Sequence, residues 1–385
     1  MPWRVTSPMT ERHYFVKQAL KKERTLSELC EQLGISRKTG YKWIERFEAA
    51  GWPGLEDRSR APHTCPWAVP EQVQKLLLKA REKHPTWGAR KLIEWLRPTH
   101  PELSWPAAST VTELLKRQGL VESRPRRQRL KRPRPPPFDD AAGPNAVFCI
   151  DFKGWFRTQD GSRCNPLTVT DAVSRYLLCC QHLDRGTQAS VQETLQEMFR
   201  EYGLPGVLHS DNGSPFGSKG LGGLSSLSVW LMRLGIRVSF SQPGKPQQNG
   251  RHERMHRTMQ EDLANAPEKT LRAQQHAMNQ FRQVYNWERP HEALGYRTPG
   301  AVHLLSPRKM PRRLLEPQYP NAVAVKRVRT NGQLRWKGDL VYVGEAFIGE
   351  RVGLEPIDNG RYQVRFCQQV IGVIDQDQER VVSLM

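Results

Sequence analysis

The apolar positions change rhythm twice along this chain. Between residues 10 and 50 they fall at helical spacing, as in Thr25-Leu26-Ser27-Glu28-Leu29-Cys30-Glu31-Gln32-Leu33, until Gly34 interrupts. Ser36 then stands where it can cap a further helix with Trp43, Ile44 and Phe47 on its apolar face. Helix, glycine turn and capped helix form a helix-turn-helix pattern. It brings Arg37, Lys38, Tyr41 and Lys42 to the start of the second helix, the place from which such motifs contact base edges and phosphates. A second helical unit follows: Val73, Leu76, Leu77 and Ala80 share one face, then Leu92, Ile93 and Leu96, and a third helix runs from Ser109 to Arg117. Three short helices suit a second helix-turn-helix or winged-helix unit, with a purely structural bundle as the alternative.

The first change of rhythm comes at residue 146. Ala146–Phe152, Pro166–Asp171 and Arg175–Gln181 read as strands, 187–202 as a helix with Val191, Leu195, Met198 and Phe199 on one face, and Gly206–His209 as a further strand running into Asp211. Strands followed by a helix and another strand predict an α/β domain. The second change comes near residue 316. Short strands are expected at Ala322–Arg329, Leu334–Trp336, Leu340–Val343, Arg351–Glu355, Tyr362–Cys367 and Gln369–Val373, with Asp358-Asn359-Gly360 as a hairpin turn. These strands predict a small β-barrel.

The predicted fold class is therefore multidomain, α + α/β + β: a helix-turn-helix domain at 8–57, a second such unit at 66–122, a basic proline-rich linker at 123–144, an α/β core at 145–305 and a β-barrel at 316–385. No stretch approaches the roughly 18 apolar residues that would span a bilayer, and Met1-Pro2-Trp3-Arg4 lacks the apolar region of a secretion signal. A cytoplasmic protein with no membrane partner is expected.

Charge narrows the partner. The 385 residues hold 59 Lys and Arg against 39 Asp and Glu, a net charge of +20, of which +12 lies in residues 1–144. Such a concentration is the footprint of a polyanion binder, because each neutralised phosphate releases counterions. The linker carries Arg124, Arg126, Arg127, Arg129, Lys131, Arg132 and Arg134 ahead of Pro135-Pro136-Pro137. Proline stiffens it and like charges extend it, so it can lie along a phosphate backbone or serve as a solvated spacer. The seven scattered cysteines contain no Cys-x-x-Cys pair and read as reduced thiols.

A chain that binds DNA can also cut it. Phosphodiester cleavage commonly uses divalent ions held by carboxylates, two at strand ends and a third on an element packed nearby. Asp151 closes the first strand and Asp211 follows the later one. Glu253 begins a helix after the loop Pro243-Gly244-Lys245-Pro246-Gln247-Gln248-Asn249-Gly250. Asp171 reads as structural, and Glu261 is a possible substitute for Glu253 that lies over two turns deeper. His209 and His252 could steer phosphate or water, or simply be packed. Lys245, Asn249 and Arg251 are candidate DNA contacts.

With these residues the sequence resembles the DDE transposases of bacterial insertion sequences, whose core is like that of retroviral integrases. The likeness rests on His209-Ser210-Asp211-Asn212-Gly213, Gly235-Ile236, the Pro243–Gly250 string, Glu253-Arg254, and Tyr285-Asn286-Trp287-Glu288-Arg289-Pro290-His291-Glu292-Ala293-Leu294-Gly295-Tyr296-Arg297-Thr298-Pro299. It implies an RNase H-like core and a metal-binding catalytic triad of Asp151, Asp211 and Glu253. It also implies two Mg²⁺ or Mn²⁺ ions, and double-stranded DNA partners comprising terminal inverted repeats and target. The implied reaction is water-driven release of a 3′-hydroxyl followed by its attack on target DNA, in a homo-oligomer that pairs two ends. The 41 residues between Asp211 and Glu253 exceed the usual thirty-five by six, an excess that the glycine-rich stretch 217–226 accounts for as a loop. The His/Cys zinc domain of retroviral integrases is replaced by helix-turn-helix units. A regulator derived from a transposase and a purely hydrolytic nuclease stay open at this point.

Overall fold

Hydroxyl residues start all three helices at the N-terminus. Ser7 caps α1 (Pro8–Leu20), Thr25 caps α2 (Leu26–Gln32) in a reciprocal capping box with Glu28, and Ser36 caps α3 (Arg37–Ala50) by accepting from the Thr39 N–H. The computed structural model describes residues 7–57, 68–121, 141–218, 220–242, 250–314, 316–357, 360–374 and 381–382. They fall into two compact units, Met1–Ala68 and Val69–Met385, each taken here by itself.

In the first unit the three helices and a 3-10 turn at Trp52–Leu55 close over Phe15, Val16, Leu29, Cys30, Trp43 and Leu55. Gly40 lets α3 seat deeply, since a Cβ there would lie 2.5 Å from Cys30 Sγ and 3.0 Å from the Phe15 ring. The guanidinium of Arg12 sits 4.1 Å from the centroid of Trp43 and that of Arg46 at 5.0 Å, fixing the inner face of α3.

The second unit opens with the three expected helices, α4 (Glu71–Lys83), α5 (Ala89–Leu96) and α6 (Ala108–Arg117), packed on Val73, Leu77, Trp87, Leu92, Val111 and Leu115. This bundle is tied to the core that follows it. Val284 packs against its apolar cluster, and Lys83 Nζ lies 3.0 Å from the Glu288 carboxylate.

The core sheet contains β1 (Val147–Phe152), β4 (Pro166–Asp171), β5 (Leu177–His182), β6 (Val207–Ser210) and β7 (Arg237–Phe240), with a small hairpin of β2 (Phe156–Arg157) and β3 (Arg163–Cys164) beside it. Its order is β5-β4-β1-β6-β7: β4 runs antiparallel to both β1 and β5, whereas β6 is parallel to β1 and to β7. That is an RNase H-like arrangement. The near-continuous apolar run of β1 follows from its central place, buried on both faces. On one face lie α7 (Gln188–Tyr202) and α8 (Ser226–Arg233), through Val191, Leu195, Phe199 and Leu231. On the other lie α9 (Gly250–Met259) and α10 (Leu271–Gln283), through Met255, Met259, Met278 and Phe281. The β2–β3 hairpin, α8 and β7 were not anticipated. α8 is only eight residues long and buried almost all round, so it shows no clean polar face, and β7 is four residues long.

The tail strands are β8 (Ala324–Arg327), β9 (Gln333–Trp336), β10 (Asp339–Tyr342), β11 (Arg351–Pro356), β12 (Tyr362–Phe366), β13 (Gln369–Ile374) and β14 (Val381–Val382). All six expected runs are strands. Their pairings form an open antiparallel sheet, β14-β13-β12-β11-β8, and a separate β9–β10 hairpin; among the described residues no ladder closes them into a barrel. The tail is no loose appendage, because its core residues join the α7–α8 cluster of the RNase H-like domain. Gln369 accepts from the Val238 N–H at 3.1 Å and donates to the Val238 carbonyl at 3.2 Å, so it covers part of the edge strand β7. Arg233 and Glu350 pair at 3.1 Å across the same seam. Among the described residues no helix is long and apolar enough to cross a membrane.

Asp171, at the end of β4, is structural as expected. It is buried, and its two oxygens accept from the N–H groups of Asn145, Val173 (2.8 Å) and Ser174 (2.7 Å). Asp171→Ala would strand these three donors, and we expect a loss of about 3 kcal/mol in chemical denaturation. A loss under about 1 kcal/mol would contradict this account.

Candidate active site

Parallel pairing brings the first two carboxylates together. β1 and β6 align Cys149 with His209, and two residues further along each chain stand Asp151 and Asp211. Neighbouring strands lie about 4.8 Å apart, so the two acids emerge side by side at one end of the sheet. Asp151 is still within its strand, with a side chain 23% exposed. Asp211 is just beyond its strand and exposed, and its Oδ1 accepts from the Gly213 N–H at 3.1 Å. A Cβ on Gly213 would approach Asp211 Oδ2 to 3.0 Å, so glycine leaves that carboxylate its room.

Glu253 comes from the other direction, in the first turn of α9 and exposed. Its charge reaches Asp151. Burial, then the Asp211 carboxylate, then Glu253 push the Asp151 carboxyl up to about 7, against a lowering hydrogen bond from the Phe152 N–H. Glu261 is not among the charges that shift Asp151. It lies on the π-helical turn that continues α9 (Gln260–Ala264), and its charge acts on Lys91, Asp262 and Arg289 instead.

α9 is anchored by a polar network. His252 is fully buried, with Nε2 at 2.7 Å from the Thr168 hydroxyl and Nδ1 at 2.8 Å from that of Thr170. Thr168 pairs with Asp151 across the β1–β4 ladder and donates to its carbonyl at 3.0 Å. Having spent its one proton there, the Thr168 hydroxyl accepts from both His252 Nε2–H and, at 2.8 Å, His256 Nε2–H. Thr170 then donates to His252 Nδ1. His252 is thereby held neutral in one tautomer, consistent with burial lowering it well below its usual range, and burial, then the Lys153 charge, lowers His256 to about 4. His256 Nδ1 is left 4.0 Å from Asp151 Oδ2.

This decides the histidines left open by the sequence. His252 locks α9 onto β4. His209 is buried as well, 3.2 Å from Ser239 Oγ and 3.0 Å from Ser241 Oγ, and burial lowers it to about 4. Thr168, Thr170 and His256 were missed, because hydroxyls within an apolar strand and a histidine one turn along a helix carry no local signal.

The donor set fits a divalent ion in type and charge: three carboxylates offer hard oxygen ligands, and a cation would relieve the mutual repulsion at Asp151. In spacing the set is open, since among the described residues no three His, Cys, Asp or Glu side chains stand as close as a formed ion site requires.

The remaining candidates are not gathered here. Arg37, Lys38, Tyr41 and Lys42 are exposed at the start of α3 in the first unit, with Tyr41 63% exposed. Arg251 turns inward and donates to the Ala172 carbonyl at 2.9 Å rather than standing out from its loop. Lys245, Asn249 and the linker residues Arg124, Arg126, Arg127, Arg129, Lys131, Arg132 and Arg134 lie outside the described residues. The six described cysteines are free thiols, and burial pushes Cys149 up to about 12.

Comparison with known proteins agrees with this geometry. Two profiles, each described as "Integrase core domain", match residues 141–246 and 234–299. Others match 323–381 ("IS481 family transposase, C-terminal domain") and, as "Homeodomain-like domain", 9–56 and 39–115. The central domain is thus an integrase-type core. Part by part, the chain is similar to the transposases of bacterial insertion sequences.

Among its relatives is the "Insertion element IS407 uncharacterized 31.7 kDa protein" of Burkholderia multivorans, 29% identical over 195 residues, half of this chain and 64% of that protein. The "Insertion element IS476 uncharacterized 39.2 kDa protein" of Xanthomonas euvesicatoria is 24% identical over 277 residues, 71% of this chain and 76% of its own length. The "Transposase for insertion sequence element IS904" of Lactococcus lactis is 27% identical over 163 residues, 41% of this chain and 61% of that protein. The match therefore spans less than two thirds of the length of the first and third of these relatives.

The Asp151 carboxyl has a sharp consequence for stability. Its folded value of about 7 lies above its ordinary 3.8, so the folded state holds the proton more tightly. Stability without metal should fall as pH rises from about 4 to about 7 and stay low above that. Asp151→Asn removes the charge while keeping the shape. In chelator we expect it to melt higher than the wild type at pH 8, by roughly 2 kcal/mol, and no higher at pH 4. An Asn variant less stable than the wild type at pH 8 would refute the reading.

Proposed function

We propose that this chain is a DNA transposase. In this reading it binds the terminal inverted repeats of its own element, frees a 3′-hydroxyl at each end, and joins those ends to target DNA in a homo-oligomer. The observation that carries the reading is the placement of Asp151 and Asp211 at the ends of adjacent parallel strands, with the charge of Glu253 reaching Asp151 from α9.

Asp151 and Asp211 would hold the metal from the rigid sheet, and Glu253 would close on it from the helix that His252 anchors. Two divalent ions, Mg²⁺ or Mn²⁺, would supply activation of the attacking oxygen and stabilisation of the leaving one. Asp151 must lose its proton to serve as a ligand. As the resemblance implies, the reaction would pass through no covalent protein intermediate, and the same residues would position water in the first step and the 3′-hydroxyl in the second. Arg37, Lys38, Tyr41 and Lys42 would read the element ends from α3, while Lys245, Asn249 and the basic linker would follow the backbone. The protein would act in the cytoplasm, where its DNA is.

Asp211→Asn is expected to lose at least a thousandfold in both 3′-end release and joining on labelled end duplexes, while duplex affinity stays within about threefold of wild type. Joining at the wild-type rate would sink the assignment. Nicked but never joined DNA from the wild type would make the protein a nuclease. Arg37→Gln with Lys38→Gln should weaken end binding and flatten the slope of log affinity against log salt by about 2. An unchanged slope would remove α3 from the DNA contacts.

A further inference from the structure

Away from the carboxylates, five cations converge on one cavity of about 140 Å³. That is room for several waters or one tetrahedral oxyanion. Lys91 enters from α5 of the second helical bundle, Arg175 from the turn between β4 and β5, Arg251 and Arg254 from α9, and Arg289 from the chain that follows α10. Glu292 is the one carboxylate on the lining, and Asp262 stands 4.0 Å behind Arg289 Nη1.

Acids stand behind some of these cations, Asp262 and Glu261 acting on Lys91 and Arg289, but two buried guanidinium nitrogens lack a hydrogen-bond acceptor. Arg289 is only 7% exposed, yet its Nη1 has no hydrogen-bond partner, and neither has the buried Nη1 of Arg175. Arg175 also adopts a left-handed backbone, φ +64°, which a residue with a side chain seldom takes. Burial and the neighbouring arginines push Arg175 down to about 10; burial and Arg289 bring Lys91 down to about 8 against the raising charges of Asp262, Glu261 and Glu292. Cations buried against one another are costly unless an anion joins them.

We infer that this cavity is a phosphate-binding pocket at the seam between the second helical bundle and the RNase H-like core. Arginine forks match phosphate oxygens bidentately, and a phosphate offers enough lone pairs to engage several of them at once. The bound group is either a phosphate of the DNA backbone or free inorganic phosphate. The pocket is separate from the carboxylates: Arg251 and Glu253 lie two residues apart on α9, about 200° around the helix. The inference depends on the transposase reading only for the first of these sources.

The test uses the full chain in chelator, at constant ionic strength, with inorganic phosphate exchanged for chloride. Lys91→Met keeps the aliphatic bulk, and Arg175→Asn suits a left-handed backbone, so both should fold. The wild type should melt several degrees higher in phosphate. Each variant should melt no lower than wild type in chloride and lose at least half of the phosphate response. Duplex binding against salt then identifies the source. A slope reduced by about 1 in each variant indicates a backbone phosphate; an unchanged slope alongside a lost phosphate response indicates free phosphate. Variants that keep both the wild-type phosphate response and the wild-type slope overturn the pocket, as do variants that melt well below wild type in chloride. A chain that joins DNA yet fails this test loses the pocket and keeps its proposed activity.

Discussion

The arrangement rests on holding like charges together at the end of two parallel strands. Asp151 and Asp211 repel, and burial of Asp151 makes the repulsion worse, raising its carboxyl to about 7. Left to themselves such groups would move apart. They cannot, because β1 is the central strand, paired antiparallel to β4 on one side and parallel to β6 on the other, with helices packed on both faces. The sheet's cohesion thus sustains a local electrostatic cost, which a cation placed beside the acids would relieve.

Glu253 is held by different physics. It is exposed, so nothing packs it; its position comes from its neighbour His252, which is buried completely and bonded at both ring nitrogens to β4. The Thr168 hydroxyl joins that anchor to the Asp151 backbone, so the strand bearing the first acid and the helix bearing the third share one hydrogen-bonded junction. A fully satisfied buried polar network of this kind specifies a single arrangement, since any slip would leave a buried donor or acceptor unpaired.

The outer parts brace this centre. The tail shares an apolar cluster with α7 and α8, and Gln369 meets the β7 backbone, which links the C-terminal sheet to the strand beyond β6. On the opposite flank the second helical bundle meets the segment after α10 through Val284 and the Lys83–Glu288 pair, next to the cationic cavity. The domain that carries the acids is therefore supported from elements distant in sequence on both sides.

Local patterns alone determined a good deal. Helical spacing located five of the six N-terminal helices, with Ser36 as the one cap read in advance, apolar runs and turn residues located the tail strands, and acids at strand ends singled out Asp151 and Asp211. These signals are short-range: they depend on a helix's 3.6-residue period, a strand's period of two and the geometry of a cap. The tertiary structure decided what depends on distant partners. It made β6 the parallel neighbour of β1, chose Glu253 over Glu261 as the acid whose charge reaches Asp151, and turned His209 and His252 from candidate substrate contacts into packed anchors. It also turned Arg251 inward and gathered Lys91, Arg175 and Arg289, which lie 84 and 114 residues apart along the chain, around one cavity. Burial and charge proximity are properties of the folded whole, and no window along the chain contains them.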